Sequence, residues 1–282
     1  MTDYKLPSDE VALIGLGRRG GEHARMLLRS IPGQEAKLSA FLIDHRPVAR
    51  PNDPASEGIG PETSDSVPDF RSCELVGVVV VGADHREASE RSAFKLGLRS
   101  ERPALLLGIV LPPPPGEPAR LDPELLGELD CVAYWPGDPA RPEWGTLLRV
   151  AVRDWVAAVV TPGLFCIDIG EVIALFCGVR QPLMVASASA ALERPQAAVQ
   201  AALAQLDAGG FRAERATGLL AVLRTGFGLT VRHFGAVRDE LRRLPFSDAA
   251  GLAMASPVQT ELADTLRITL FAAGPFAAPP WA

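Results

Sequence analysis

The sequence predicts an α/β fold in which a domain built on a parallel sheet precedes a long helix and a smaller α+β domain. Three stretches carry this prediction. Residues 11–14 are an apolar run that leads directly into a glycine-rich stretch, residues 15–21. Residues 74–82 are mostly apolar and β-branched, as in a central strand of a parallel sheet. Residues 143–160 carry apolar side chains at helical spacing. The first domain is therefore expected to be Rossmann-like.

Composition and charge are those of an ordinary globular chain that is long enough for two domains. Of the 282 residues, 48% are hydrophobic and 22% are charged, and the net charge is −6. No basic stripe is present, so nucleic acid is not an expected partner. There is no apolar run of membrane-span length and no apolar signal region at the N-terminus, so we expect a cytoplasmic protein. We place the domains at residues 1–142 and 163–282, joined by a central linking helix over residues 143–162.

The remaining elements follow from apolar runs and from the glycine and proline residues that end them. Residues 47–72 are rich in Pro, Ser, Asp and Glu and are predicted to form a surface loop. Further strands are predicted over residues 40–44, 104–110, 129–135, 182–190 and 218–225. Further helices are predicted over residues 22–28, 171–177, 194–206 and 233–244.

The glycine-rich stretch has the form of a phosphate cradle. A strand, a glycine loop and a helix start direct free backbone N–H groups and the positive end of the helix dipole toward an anion. Gly15, Gly17 and Gly20 have the GxGxxG spacing. Together with Gly21, and with Gly82 at the end of the central strand, they are the candidate cofactor-binding residues.

Taken alone, this end of the chain also fits an NAD(P)-dependent Rossmann oxidoreductase. The strand over residues 40–44 ends in Asp44, and an acid in this place can hold a ribose hydroxyl. Arg18 and Arg19 lie inside the glycine stretch. They are compatible with a bound anion, but they can equally fill the space that the anion needs.

Residues 161–172 follow the long helix and carry two acids, Asp168 and Glu171. Pro162 and Gly163 are predicted to end the long helix, because proline cannot continue it and glycine accepts a left-handed turn. The acids are then expected on a loop and in the first turn of a new helix, where negative charge suits the free N–H groups. An interpretation in which the acids only complement the helix dipole stays open at this point.

This stretch reads Thr-Pro-Gly-Leu-Phe-Cys-Ile-Asp-Ile-Gly-Glu-Val. It resembles the synergy loop of the bacterial tubulin homologue FtsZ, which usually reads Arg-Pro-Gly-Leu-Ile-Asn-Val-Asp-Phe-Ala-Asp-Val. Residues 226–234 and 262–274 resemble two further FtsZ segments in order and spacing. The resemblance implies a tubulin/FtsZ-like fold. In that family the loop reaches the nucleotide pocket of the next subunit and its acids position the attacking water, so Asp168 and Glu171 are implied as catalytic residues that act on a neighbouring subunit.

The glycine signature that follows the central strand in FtsZ is missing. The family has Gly-Gly-Gly-Thr-Gly-Ser/Thr-Gly at this place, whereas residues 83–89 read Ala-Asp-His-Arg-Glu-Ala-Ser. Side chains then occupy the space of the phosphates, and Asp84 and Glu87 would repel them. Asp84, His85 and Glu87 can also be considered as a metal or acid–base cluster, but a solvated helix start is the preferred interpretation and no metal site is predicted. We therefore expect a degenerate pocket that binds GTP or GDP weakly or not at all.

The expected function is that of an FtsZ-like cytoskeletal protein that self-associates head to tail or modulates FtsZ-type filaments. Its partners would be copies of itself or another FtsZ-like protein, as filament subunits. Whether it is an enzyme is left open: an active GTP-binding FtsZ-type GTPase is one alternative, and the NAD(P)-dependent oxidoreductase is another. We expect no direct membrane anchor, because residues 275–282 leave no room for the linker and terminal peptide of FtsZ.

Overall fold

The structure, a computed structural model, places the chain in two compact units. The first unit ends at Asp130 and the second begins at Cys131. The predicted division into residues 1–142, 143–162 and 163–282 stays a prediction. The residues that the structure describes are 9–29, 38–43, 73–83, 88–100, 102–103, 105–114, 116–119, 122–134, 142–161, 163–176, 182–246 and 250–275.

Among the described elements of the first unit, helices alternate with strands except where β3 follows β2, and the order in the second unit is less regular. The strands are β1 (Asp9–Leu16), β2 (Leu38–Ile43), β3 (Cys73–Gly82), β4 (Leu105–Leu111), β5 (Cys131–Tyr134), β6 (Pro182–Ala191), β7 (Gly218–Arg224), β8 (Gly251–Ala255) and β9 (Thr265–Ala273). The helices are α1 (Gly17–Arg29), α2 (Ala88–Ser100), α3 (Pro123–Glu128), α4 (Pro142–Val160), α5 (Ile169–Phe176), α6 (Pro195–Ala208) and α7 (Val231–Leu241).

The first unit contains the predicted parallel sheet. Its strand order is β2-β1-β3-β4, and each neighbouring pair runs parallel. The described side chains of β3 and β4 are buried, because a parallel sheet with helices on its faces has no solvated side. Helix α1 packs against β1 and β3. The α/β prediction, with residues 74–82 as a central strand, is confirmed.

The second unit is built on a mixed sheet with the strand order β5-β6-β9-β7-β8. Strand β9 is antiparallel to both of its neighbours, whereas β5 pairs parallel with β6 and β8 pairs parallel with β7. Strand β8 was not predicted, because its sequence Gly-Leu-Ala-Met-Ala has no β-branched residue. The α+β character of this half of the chain is confirmed.

The two faces of β9 serve two different layers, since successive strand residues point to opposite sides. Leu266, Ile268 and Leu270 belong to an apolar core that also includes buried residues of α6 and α7. Phe271 lies on the other face and meets Trp155 of α4 at a ring-centroid distance of 4.9 Å. Helix α4 therefore packs on the face of the sheet that α6 and α7 leave free.

A buried carboxylate joins α4 to this sheet. Asp154 is fully buried and accepts two hydrogen bonds from Arg267, at 2.9 and 3.2 Å. It also accepts one from Arg224 at 3.3 Å and one from Thr269 at 2.6 Å. Burial lowers the pKa of Arg224 to about 10, against the opposing effect of the Asp154 charge. The guanidinium still carries its charge at neutral pH, so the carboxylate has two cationic partners inside the protein.

Removing this carboxylate should destabilise the second unit strongly. Asp154→Ala leaves two buried guanidinium groups without their counter-charge, so we expect the free energy of unfolding to fall by about 3–5 kcal/mol. Asp239 is a suitable control, because it pairs with Arg238 on the exposed side of α7. Asp239→Ala should change the free energy of unfolding by less than about 0.5 kcal/mol. Urea denaturation measures both, and equal losses in the two variants would contradict this role of Asp154.

Candidate functional site

The loop between β1 and α1 is shorter than the sequence predicts. Helix α1 begins at Gly17 rather than near Glu22, so the predicted start was wrong. Gly20 and Gly21 consequently lie inside the helix and not in a loop. Gly17 has φ +69°, a left-handed conformation that glycine adopts without steric cost, and it makes the turn from β1 into the helix.

Three of the glycines have a packing role. A Cβ on Gly20 would overlap the carbonyl oxygen of Val80 in β3. A Cβ on Gly15 would lie 2.7 Å from the Cα of Gly21, closer than side-chain atoms are found. The absence of side chains therefore lets α1 approach β1 and β3 closely. The turn at Gly17 and the helix–strand packing at Gly15 and Gly20 explain the GxGxxG spacing whether or not a phosphate binds.

Gly17 and Gly82 lie at the same edge of the parallel sheet. Leu16, which precedes Gly17, is paired with Val81, which precedes Gly82. Beyond this edge, the backbone N–H of Ala83 donates a hydrogen bond to the backbone carbonyl of Leu111 at the end of β4.

The residues expected to close or fill the cradle lie outside the described ones. They include Asp84, His85 and Glu87, the side chain of Arg18, and Asp44 at the end of the second strand. The surface-loop prediction for residues 47–72 also falls there. The phosphate-binding role of Gly15, Gly17, Gly20, Gly21 and Gly82 stays a prediction.

The two acids lie where they were expected. Helix α4 ends at Val160, and Asp168 immediately precedes α5, with Glu171 in its first turn. Asp168 Oδ1 accepts from the backbone N–H of Glu171 at 2.8 Å, and Glu171 Oε2 accepts from the backbone N–H of Asp168 at 3.3 Å. This reciprocal arrangement is a capping box, so both acids stabilise the helix start. The second oxygen of each exposed carboxylate makes no hydrogen bond with the described residues, so it can contact something outside the chain.

Residues 163–171, which we call the acid loop, are held by residues 256–259, the bracing segment. Gly163 forms a β-bridge with Pro257, and a Cβ at residue 163 would overlap the carbonyl oxygen of Ser256. The backbone N–H of Phe165 donates to Ser256 Oγ at 2.8 Å, and the backbone N–H of Ser256 donates to the carbonyl of Phe165 at 2.9 Å. The Phe165 ring stacks on Phe234 with centroids 3.7 Å apart. The acid loop therefore has a defined position in the second unit.

Sequence reasoning did not single out Ser256 or the bracing segment, because neither belongs to a motif. It also missed Asp154 as a structural residue. A signal for Asp154 was present, since it is a charged residue within the apolar pattern of the long helix, next to Trp155. A charge in such a position must find partners inside the protein.

An apolar cleft of about 220 Å³ opens beside the acid loop. Leu164, Phe227, Leu229, Pro257 and Val258 contribute to its lining. Phe227 is 83% exposed and Leu164 is 48% exposed, which is unusual for side chains of this size. Pockets for small-molecule ligands typically measure about 300–1,000 Å³. The cleft is therefore better matched to one or two side chains of another protein than to a nucleotide.

Known proteins resemble this chain in structure and not in sequence. No protein-family model matches it, and no curated protein sequence matches it. A mutant and a dimer of FtsZ from M. jannaschii superpose with TM-scores of 0.70 and 0.68 at 16% and 15% identity. They cover 94% of this chain, and the match spans 91% and 88% of their own length. This is the FtsZ/tubulin fold.

Two further structures agree with this assignment. The GDP-bound monomer of CetZ1 from Haloferax volcanii has a TM-score of 0.62 at 13% identity, with 96% of both chains covered. The GDP-form protofilament structure of TubZ from Bacillus thuringiensis serovar israelensis has a TM-score of 0.56 at 12% identity, covering 96% of this chain and 86% of that chain. The oxidoreductase interpretation accounts for residues 11–44, whereas the FtsZ/tubulin fold accounts for nearly the whole chain.

Two classes of site are not found in the part of the chain that the structure describes. No group of three or more His, Cys, Asp or Glu side chains there is arranged to hold a metal ion. Among the helices of the described ranges, none is long and apolar enough to cross a bilayer.

The packing role of the glycines in the FtsZ/tubulin fold can be tested without any ligand. Gly20→Ala forces α1 away from β3, so we expect the free energy of unfolding to fall by about 1–3 kcal/mol. Gly127 of α3 is the matched control, because a Cβ there would meet no atom within 4 Å. Gly127→Ala should stabilise the protein by up to about 1 kcal/mol, since alanine is the better helix former. Thermal or urea unfolding gives both values, and a Gly20→Ala protein as stable as Gly127→Ala would exclude close helix–strand packing.

Proposed function

We propose that this protein assembles head to tail with copies of itself into filaments, and that it binds GTP weakly or not at all. The fold supports assembly, since the matching structures include a dimer of FtsZ and protofilaments of TubZ. The observation that carries the proposal for this chain is an exposed apolar cleft, lined in part by Leu164 of the loop that also carries the two acids. We use the name assembly face for Leu164, Phe227, Val231, Asp168 and Glu171.

The assembly face has the composition of a protein interface. Leu164 and Phe227 line one cleft, and Val231, at the start of α7 and four residues after Phe227, is 68% exposed. Clustered exposed apolar side chains mark interaction sites, and aromatic residues dominate the binding energy of interfaces. Asp168 and Glu171 belong to the same loop as Leu164 and are exposed, and their charge would select the partner surface. A face that docks on a different surface of the next copy makes a heterologous contact, which extends into a filament when it does not close.

Weak nucleotide binding is supported by two features of the first unit. The stretch after β3 has charged residues in place of the family's glycines. Gly20 and Gly21 lie inside α1, where their small size serves the contact with β3 and β1. Among the candidate glycines, Gly17 and Gly82 are the ones placed at the sheet edge where an anion would bind.

An active GTPase is the second candidate function. It is favoured by the acid loop, in which Asp168 and Glu171 are exposed and each uses one carboxylate oxygen in the capping box. The second oxygen of either acid can orient a water molecule at a neighbouring subunit. A protein that caps or modulates filaments of another FtsZ-like protein would use the same face without forming filaments alone.

The proposed assembly can be measured by sedimentation. We expect the protein to pellet without nucleotide, and the threshold concentration to stay unchanged when GTP or GDP is added. Phe227→Ser should raise the threshold concentration by about tenfold or more, because it removes an aromatic anchor from the assembly face. Leu96→Ser is the control, since Leu96 is an exposed leucine of α2 in the first unit, whereas the assembly face belongs to the second unit.

The outcomes of this experiment separate the candidate functions. Pelleting that requires GTP, together with GTP binding in calorimetry, supports the active GTPase. Tight binding of NAD or NADP supports the oxidoreductase. Pelleting in which Phe227→Ser and Leu96→Ser behave alike would show that the assembly face is misplaced.

The charge of the acids can be separated from their capping role. Asp168→Asn with Glu171→Gln keeps both capping hydrogen bonds, because amide oxygens also accept from backbone N–H groups. Asp168→Ala with Glu171→Ala removes both charge and cap. If the charge contacts the next subunit, the amide pair should raise the threshold concentration nearly as much as the alanine pair, by about tenfold. If the variant with both amides assembles at the same threshold concentration as the unaltered protein, the two acids act only as a helix cap.

A further inference from the structure

We propose that Asp154 is a positioning residue for the acid loop and acts on it through two arginines. Asp154 lies inside α4, the helix that precedes the acid loop in the chain, and has no contact with solvent. Its two arginine partners both lead to the bracing segment, residues 256–259. The effect of this positioning on assembly rests on the proposed function. The positioning of the acid loop by Asp154 does not.

The first route runs through Arg267. Its Nη2 donates to Asp154 Oδ1 at 2.9 Å and also to Gln259 Oε1 at 2.8 Å. One nitrogen thus bridges the buried carboxylate and the last residue of the bracing segment. The second bond from Arg267, Nε to Asp154 Oδ2 at 3.2 Å, makes the contact bidentate and fixes the plane of the guanidinium.

The second route runs through Arg224, the last residue of β7. Arg224 donates to Asp154 Oδ1 at 3.3 Å. The next residue, Thr225, forms a parallel β-bridge with Val258, and its carbonyl accepts from the backbone N–H of Gln259 at 2.9 Å. The bracing segment is therefore tied to Asp154 from its backbone as well as from its side chain.

The bracing segment then transmits this position to the acid loop. Ser256 exchanges two hydrogen bonds with the backbone of Phe165, at 2.8 and 2.9 Å, and Pro257 forms a bridge with Gly163. Between the carboxylate and the loop, each contact is a hydrogen bond or a backbone bridge of defined geometry. A loosened bracing segment leaves the start of the acid loop without its partners.

Hydrogen exchange distinguishes a positioning role of Asp154 from a role in overall stability alone. Amides in the middle of strands exchange their hydrogens through global unfolding, whereas loop amides exchange through local opening. Lower global stability by itself speeds exchange in the strands and leaves the acid loop unchanged. A positioning role speeds exchange at the loop.

The first test is hydrogen exchange at the backbone amides of Phe165 and Ser256 in Gln259→Ala. This variant breaks the bond to Arg267 and leaves the backbone bonds of the bracing segment in place. We expect both amides to exchange about tenfold faster, the factor typical of a lost hydrogen bond to a charged group. Gln200→Ala is the matched control, because Gln200 donates to Glu240 on the opposite layer at 2.9 Å. It should leave both amides unchanged.

The second test uses Asp154→Asn and Arg267→Lys. These variants weaken the contacts between residue 154 and its arginine partners. Lysine keeps the charge but loses the bidentate contact and the bridge to Gln259. In both variants we expect exchange at Phe165 to rise, whatever happens at strand amides such as those of Leu223 and Ile268. If Asp154→Asn does not fold, Arg267→Lys and Gln259→Ala decide the matter.

The proposal is overturned if Phe165 exchanges at the unaltered rate in Gln259→Ala and Arg267→Lys. It is also overturned if only the strand amides respond to Asp154→Asn. These measurements use dilute protein and do not depend on assembly. If exchange rises as expected but Gln259→Ala pellets at the same threshold concentration as Gln200→Ala, the positioning role stands and the assembly face of the proposed function is wrong.

Discussion

The second unit depends on one buried charge. Asp154 sits on the sheet-facing side of α4, where an unpaired carboxylate would be very costly, so the structure surrounds it with Arg224, Arg267 and Thr269. Apolar contacts, such as Trp155 against Phe271, hold the helix on the sheet but tolerate sliding. The directional bonds to β7 and β9 choose one position of the helix, because hydrogen bonds weaken steeply away from their preferred geometry.

In the acid loop, the two side chains that cap a helix are also exposed to solvent. Asp168 and Glu171 begin α5 through a capping box, and the second oxygen of each carboxylate makes no hydrogen bond with the described residues. Two requirements also meet in the glycine stretch. Gly20 has no space for a Cβ beside Val80, and a phosphate cradle would also require glycine at the start of this helix. In both places residue type alone cannot separate a packing role from a binding role, since both need the same chemistry.

Much of the fold was predictable because its signals are local. The apolar run of β3 and the apolar residues at helical spacing in α4 each act on their immediate neighbours, and the structure has these elements. The start of α1 was wrong because a glycine pair inside a helix looks like a loop in sequence. The close contact with β3 offsets the low helix propensity of those glycines, and that contact is not visible in the local pattern.

The resemblance of three segments to FtsZ implied the FtsZ/tubulin fold, and local patterns in the sequence determined the parallel sheet of the first unit and the position of the two acids at a helix start. These depend on hydrophobic periodicity and capping chemistry, which act over a few residues. Only the tertiary structure decided that Phe227 is exposed beside Leu164, and that Asp154 reaches the acid loop through Arg267 and the bracing segment. These contacts join residues far apart in the chain, and their partners are chosen by the packing of whole helices and strands.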